Sequence, residues 1–518
     1  MAPESKDNEA TAQATENSGQ TPPVGNTRTV TTHYEPENDR ERGLDRGINL
    51  KHDFFVTLPV SFGWMFIAID KSNVGYVAMS SFIEDAGVSR NAVGLSLSLF
   101  SGTYVPFHIV NTALAFIAGP RIFITFQLFC CGVISTAHAA IRGNATLIAL
   151  RLLLGMFEAG YNPASLYLMS QFYPRQNLGF RMGIFTSMFA TAGASAGAIT
   201  YGLLAAQSSV IEGWQLVFLV EGILPILNSL AVFSLVPRGI EKAWFLTAEE
   251  KEHALMRMRV DKGEAAPRDD AEQVREGARP GRFGLGHITW RDFSDVIADS
   301  RKVLTMVFGI CIVTSMNAFP AFLPVLAEGM GFEGTLANVM SVSPFVAAIV
   351  GQMIGTWLSD TYMERGYAIG VSSLMAAVFA VVMGASTNNA ARYAAMHFCV
   401  SLVMVAGSLI SVWLANNTPG SGARSFVLGL NGTTHIGGVI AGQLFDVKYA
   451  PSYSIPLYVV AGLLICGTLG MGLVRYMYAR ENRRRKRITA GWGEPEFAAE
   501  KNSTVRRGDQ RLDFQYTL

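Results

Sequence analysis

The sequence predicts an all-α membrane protein of twelve spans, set as two six-helix halves around a polar linker. Three observations predict it. Half of the 518 residues are hydrophobic and only 16% are charged, with a mean hydropathy of +0.28. That is too apolar for a soluble chain of this size. The apolar residues come in blocks of about 20, the length a helix needs to cross a bilayer. A charged stretch, residues 237–302, divides those blocks six and six.

Taken in order, residues 1–51 are polar and are expected to form a disordered tail. The first half, 52–236, is expected to span at roughly 54–78, 92–117, 122–140, 146–168, 182–205 and 215–236. The linker holds AWFLTAEEKEHALMRMRVDKGE, in which Trp244, Phe245, Leu246, Leu255 and Met258 are expected to share the apolar face of an amphipathic helix lying along the membrane surface, the alternative being a solvated linker. The second half, 303–477, is expected to span at roughly 303–326, 338–358, 368–386, 393–415, 425–446 and 455–477. A basic tail, 478–518, follows. Glycines within several spans are of the kind that lets helices pack closely in lipid.

Basic residues orient the chain. Arg40, Arg42, Arg46, Lys51, Arg121, Arg175, Arg181, Arg365, Arg424 and the run RENRRRKR fall on one side. Arg90, Arg142, Arg392 and Lys448 fall on the other. The bias places both termini in the cytoplasm, with the plasma membrane as the expected location. The five cysteines, Cys130, Cys131, Cys311, Cys399 and Cys466, sit in apolar blocks without metal-ligand spacing. No metal or cofactor is expected. No nucleophile–base pair or phosphate loop appears, so an enzyme is not expected, nor is a nucleic-acid partner. The default oligomeric state is a monomer.

Charges inside spans carry the functional signal. The fourth span contains RLLLGMFEAG, with Arg151 and Glu158 seven residues apart. A helix returns to within ~20° after seven residues and advances ~10.5 Å, so both lie on one face. The first span adds Asp70 and Lys71. Charges at bilayer depth must face protein or a water-filled cavity. Two acids and two bases are neutral when ionised. Protonating a carboxylate makes the cavity positive and attracts an anion, and departure of the anion releases the proton. On this reading Asp70 and Glu158 carry the proton, while Lys71 and Arg151 contact the anion. The alternative is a pair of structural ion pairs, Arg151–Glu158 and Asp70–Lys71.

Weaker candidates surround these four. His108 and Asn111 in the second span, and Asn431 and His435 in the eleventh, either line the cavity and bind substrate or bond helix to helix. Glu221 reads as a structural partner and His138 as a residue of the outer interface. Asp360 and Arg365 in SDTYMERG either gate one access state or form a static salt bridge.

A set of motifs carries a resemblance: IDKSNVG (69–75), VPFHIVNTALAFIAGPR (105–121), RLLLGMFEAGYNPASLYLMSQFYPR (151–175), GWQLVFLVEG (213–222), AWFLTAEEKEHALMRMR (243–259) and WLANNTPGSGARS (413–425). With these the chain resembles the anion:cation symporter branch of the major facilitator superfamily over about 52–480, and within it the fungal allantoate-permease group. The resemblance implies a twelve-span fold and proton-driven movement of small organic anions, including carboxylate vitamins such as pantothenate, biotin and nicotinate. It places the proton on the acids matching Asp70 and Glu158 and the substrate on the bases matching Lys71 and Arg151. Two other functions remain open: export of a secondary metabolite on the same fold, and a nutrient receptor that does not transport.

Overall fold

In lipid a backbone must satisfy its own hydrogen bonds, and the apolar blocks therefore fold as helices. A computed structural model describes residues 34, 36, 38–77, 81–204, 211–262, 290–332, 335–444, 447–449, 452–501 and 508–518. Helices alone form its regular structure among the described residues. The first half runs through Leu58–Val77, Arg90–Ala118, Pro120–Ala137, the pieces Asn144–Glu158 and Tyr161–Met169, Arg175–Leu204 and Gly213–Leu235. The second runs through Ser300–Glu328, Thr335–Tyr362, Arg365–Ala385, Asn389–Asn416, the pieces Ser421–Asn431 and Ile436–Leu444, and Ser454–Thr489. Nine helices among the described residues are by themselves long and apolar enough to cross a membrane.

Side chains pointing out of the bundle are apolar, among them Leu230, Phe233, Val371, Phe398 and Leu469. A surface so covered is stable only against lipid. Inside each half, small residues set the helix spacing. A Cβ on Gly222 of the sixth span would lie 2.6 Å from the Gly132 carbonyl oxygen of the third. Gly351 and Gly355 likewise bring the eighth span against Ser401 and Val405 of the tenth. Between halves, the fifth span packs on the eighth and the second on the eleventh.

Two spans expected to be continuous are broken. The fourth stops at Glu158 and restarts at Tyr161, with Gly160 at φ +84°. A side chain there is opposed by the left-handed backbone, and its Cβ would sit 2.8 Å from that of Asn111. The eleventh narrows to a 3-10 turn over Gly432–His435.

The polar ends also differ from expectation. Part of the tail 1–51, read as disordered, belongs to a helix, Asp39–His52, capped by the Asn38 side chain, which accepts from the Glu41 N–H at 2.9 Å. Ion pairs tie it to a linker helix, Ala248–Lys262: Lys51–Glu250 at 2.7 Å and Arg257–Asp45 at 3.2 Å. The linker buries Leu246, Ala254 and Met258 and stacks Phe245 on Phe55 at 4.6 Å. Its apolar side thus faces the bundle, and Trp244 is left largely exposed. The last helix runs on to Thr489, and residues 508–518 return to the bundle end. The end that carries both tails is called here the terminal face.

Candidate functional site

A broken helix leaves carbonyl and N–H groups without partners, and in lipid these must be satisfied. The second and third spans do so. Asn111 Nδ2 donates to the Met156 and Ala159 carbonyls at 2.7 and 2.6 Å. Gln127 Nε2 donates to Phe157 and Ala159 at 2.8 and 2.7 Å. The Gly160 N–H donates to His108 Nδ1 at 3.3 Å, which leaves the neutral His108 proton on Nε2. Asn111, a candidate for substrate contact, therefore has its amide committed to the break.

Glu158 closes the first piece of the fourth span and is 2% exposed, and Arg151, two turns earlier, is 1% exposed. They share one buried side, yet the ion pair of Arg151 reaches another span. Its Nη1 lies 3.7 Å from Asp70 Oδ2. The other oxygen of Asp70 accepts from Ser135 Oγ. Three carboxylates, those of Asp70, Glu158 and Glu221, act on this one guanidinium. Arg151 Nε and Nη2 are buried and have no hydrogen-bond partner among the described residues. Unmet donors of a charged group are expensive, so the arrangement calls for an acceptor.

A second group adjoins the first. Tyr104 lies within the field of Glu158. Its ring is 5.3 Å from that of His108 and 5.8 Å from that of His435, and the two imidazoles are 5.7 Å apart. A Cβ on Gly432 would fall 1.7 Å from His108 Cδ2, so only glycine lets the halves meet there. Asn431 Nδ2 donates to Ser411 Oγ at 2.9 Å, joining the eleventh span to the tenth, and its buried Oδ1 has no partner among the described residues. The Lys71 side chain lies outside the described residues. Among the described residues no group of three or more His, Cys, Asp or Glu is placed to hold a metal.

Asp360 and Arg365 lie apart from this centre, at the terminal face. They form an ion pair. Asp360 also accepts from the N–H groups of Gly179 and Phe180 in the fifth span, at 3.1 and 2.6 Å. Arg365 Nη2 donates across the same junction to the Arg175 carbonyl at 3.0 Å. Arg424 Nη1 reaches Ser170 Oγ at 3.2 Å, and Ser425 Oγ reaches the Thr112 carbonyl at 3.1 Å. With these bonds in place the halves are joined at the terminal face.

Several of these residues escaped the sequence reading. Glu221, read as a structural partner, lies within the field of Arg151. His138, expected at the outer interface, is fully buried, with Nδ1 2.8 Å from the Ile134 carbonyl oxygen, and it lies within the fields of Arg151 and Asp70. Tyr104, Gln127 and Ser135 were not singled out. A signal existed: Gln127 and Ser135 are polar side chains within the third span, which also holds His138.

Two helical halves, broken spans and a set of buried charges define the scaffold of a secondary transporter. The comparisons agree. The model of the Major Facilitator Superfamily matches residues 60–443, and the chain belongs to that family. It is a multi-pass membrane transporter and not an enzyme. Among its relatives is the major facilitator-type transporter hxnP of Emericella nidulans, 27% identical over 491 residues, covering 90% of this chain and 92% of that protein. Another is the high-affinity nicotinic acid transporter of Saccharomyces cerevisiae, 25% identical over 448 residues, covering 86% and 80%. Among solved structures, the proton:xylose symporter XylE aligns with a TM-score of 0.58 at 14% identity, covering 82% of this chain and 96% of that one. That likeness is one of fold.

Proposed function

We propose that this transporter carries a small organic anion together with a proton by alternating access, as a member of the allantoate-permease-like group. It would work at the plasma membrane with both termini in the cytoplasm. The observation that carries the reading is Arg151, a buried guanidinium paired with Asp70 and within the fields of Glu158 and Glu221, with two donor groups unmatched among the described residues. A carboxylate ligand supplies the missing acceptors in the planar, two-point fashion that arginine favours. Its negative charge then repels Asp70 and Glu158, so that a proton taken up on one of them accompanies the anion. When the anion leaves, Arg151 again favours the ionised carboxylates and the proton departs.

In this scheme Lys71 shares the anion with Arg151, and His108, His435 and Asn431 line its path. Asn111 acts indirectly, by holding the broken backbone that presents Glu158. The nicotinic acid transporter among the relatives makes nicotinate the first ligand to try.

The test is thermal stability of purified protein against a panel of small carboxylates, at about pH 5.5 and about pH 7.5. A ligand at a hundredfold excess over its Kd adds about 2.7 kcal/mol to the native state. The expected result is a carboxylate whose stabilisation is larger at the lower pH, with that pH dependence lost in Glu158→Gln. No response to any anion, with stabilisation by bulky neutral compounds, would favour export of such compounds and contradict the proposal.

A further inference from the structure

The geometry points to a latch: the last residues, 508–518, fill a fitted groove at the terminal face of the second half and, through Phe514, hold that face shut against the first half. The segment GDQRLDFQYTL follows a strongly basic run and would be expected to stay solvated. Instead Phe514, Tyr516 and Thr517 are each more than nine-tenths buried.

The groove reads the segment residue by residue. Asn482 both donates to the Tyr516 carbonyl, at 2.8 Å, and accepts from the Tyr516 N–H, at 2.9 Å. Asn417 does the same for Thr517, at 3.1 and 2.8 Å. Two such reciprocal pairs fix the register, since a slip by one residue breaks all four bonds. Trp413 Nε1 donates to the Thr517 carbonyl at 2.9 Å, and Arg485 Nη1 donates to that of Phe514 at 2.9 Å. These donors belong to buried side chains and need those carbonyls. The Tyr516 ring lies against two guanidinium groups, those of Arg301 and Arg485, at 4.5 and 4.6 Å. Lys302 anchors Asp509 at 2.7 Å.

All these partners belong to the second half, so the segment travels with it. It touches the first half at Phe514, whose ring lies 4.7 Å from the Arg175 guanidinium carbon. Arg175 stands at the junction that must part when the terminal face opens. Its carbonyl accepts from Arg365, and its side chain pairs with Asp261 of the linker helix at 3.6 Å. The Arg365 N–H, beside the same junction, donates to the Leu518 carbonyl. Opening therefore separates Phe514 from Arg175, and the tail weights the equilibrium toward the shut state.

The experiment compares three proteins in lipid nanodiscs: the full chain, the chain ending at Arg507, and the full chain carrying Phe514→Ala. Spin labels at Gln176 and Tyr362 report the distance across the terminal face, with no substrate added. That readout is independent of what the protein carries, so failure of the anion reading leaves it untouched. The truncated chain is expected to raise the ratio of open to shut molecules about tenfold, the scale of a desolvated cation–π contact. Phe514→Ala, whose tail stays anchored, should raise it in the same direction. Excess synthetic GDQRLDFQYTL should return the truncated chain to the shut distribution and change its Trp413 fluorescence. The latch is overturned if Phe514→Ala keeps the parent distribution, whether or not the truncated chain folds. It is equally overturned if the folded truncated chain neither opens nor binds the peptide.

Discussion

Arg151→Lys is expected to fold and to lose transport by on the order of 100-fold. Lysine keeps the positive charge that balances Asp70, Glu158 and Glu221. It gives up the planar fork and the separate Nε and Nη2 donors, the groups without a partner among the described residues. Charge-assisted hydrogen bonds contribute about 1.5–3 kcal/mol each, and every 1.4 kcal/mol or so is tenfold. Arg151→Ala is a different case. It strands buried carboxylates and should destabilise the fold by about 3–5 kcal/mol, so that little protein reaches the membrane. Uptake into proteoliposomes, normalised to monodisperse protein, checks both variants. Parent-like uptake by Arg151→Lys would mean that the unmatched donors do not serve the ligand.

Asp360→Asn is expected to shift the protein toward the state open at the terminal face. The Asp360 carboxylate caps two N–H groups of the fifth span while it holds Arg365. An amide has one acceptor oxygen and no charge, so at least one of those bonds weakens or is lost. The Asp360–Arg365 pair lies within the second half, but the capping bonds exist only while the halves are together. Most of the lost energy, about 1.5–3 kcal/mol, therefore falls on the shut state and moves the equilibrium about 10- to 100-fold. Gly179→Ala is a companion that keeps both charges but crowds the Asp360–Arg365 pair from the fifth span. Its Cβ would meet Asp360 Oδ1 at 2.4 Å, so it wedges the same junction. Both should lengthen the Gln176–Tyr362 distance and slow net transport. An unchanged distance in both would make the pair a static salt bridge.

Much of this was legible in particular residues. Seven-residue spacing put Arg151 and Glu158 on one buried side, and blocks of apolar residues set the two six-span halves. The partner of Arg151 was not legible, because helix periodicity says which side a residue faces and nothing about the span that meets it. Asp70 comes from a helix some eighty positions away in the chain. The break after Glu158 was hidden for a similar reason. Hydropathy continues unchanged through Ala159 and Gly160, whereas the groups that stabilise the break, Asn111 and Gln127, lie in other spans.

The polar ends misled more strongly. Residues 39–52 have a disordered composition, yet their charges are matched by Glu249, Glu250 and Arg257 of a linker about two hundred residues later. The tail residues Phe514 and Tyr516 look incidental until Asn482 and Arg485, on the overrun of the last helix, supply their partners. Composition reports what a segment can bury by itself, not what a distant segment offers it.

The central claim is that anion and proton move together through the Arg151–Glu158 centre. The most direct test is simultaneous measurement in proteoliposomes of anion uptake and internal pH, with no imposed gradient except that of the anion. The account predicts that inward anion flow acidifies the lumen, and that Glu158→Gln uncouples the two or abolishes both. Anion entry with no acidification in the parent protein would contradict it.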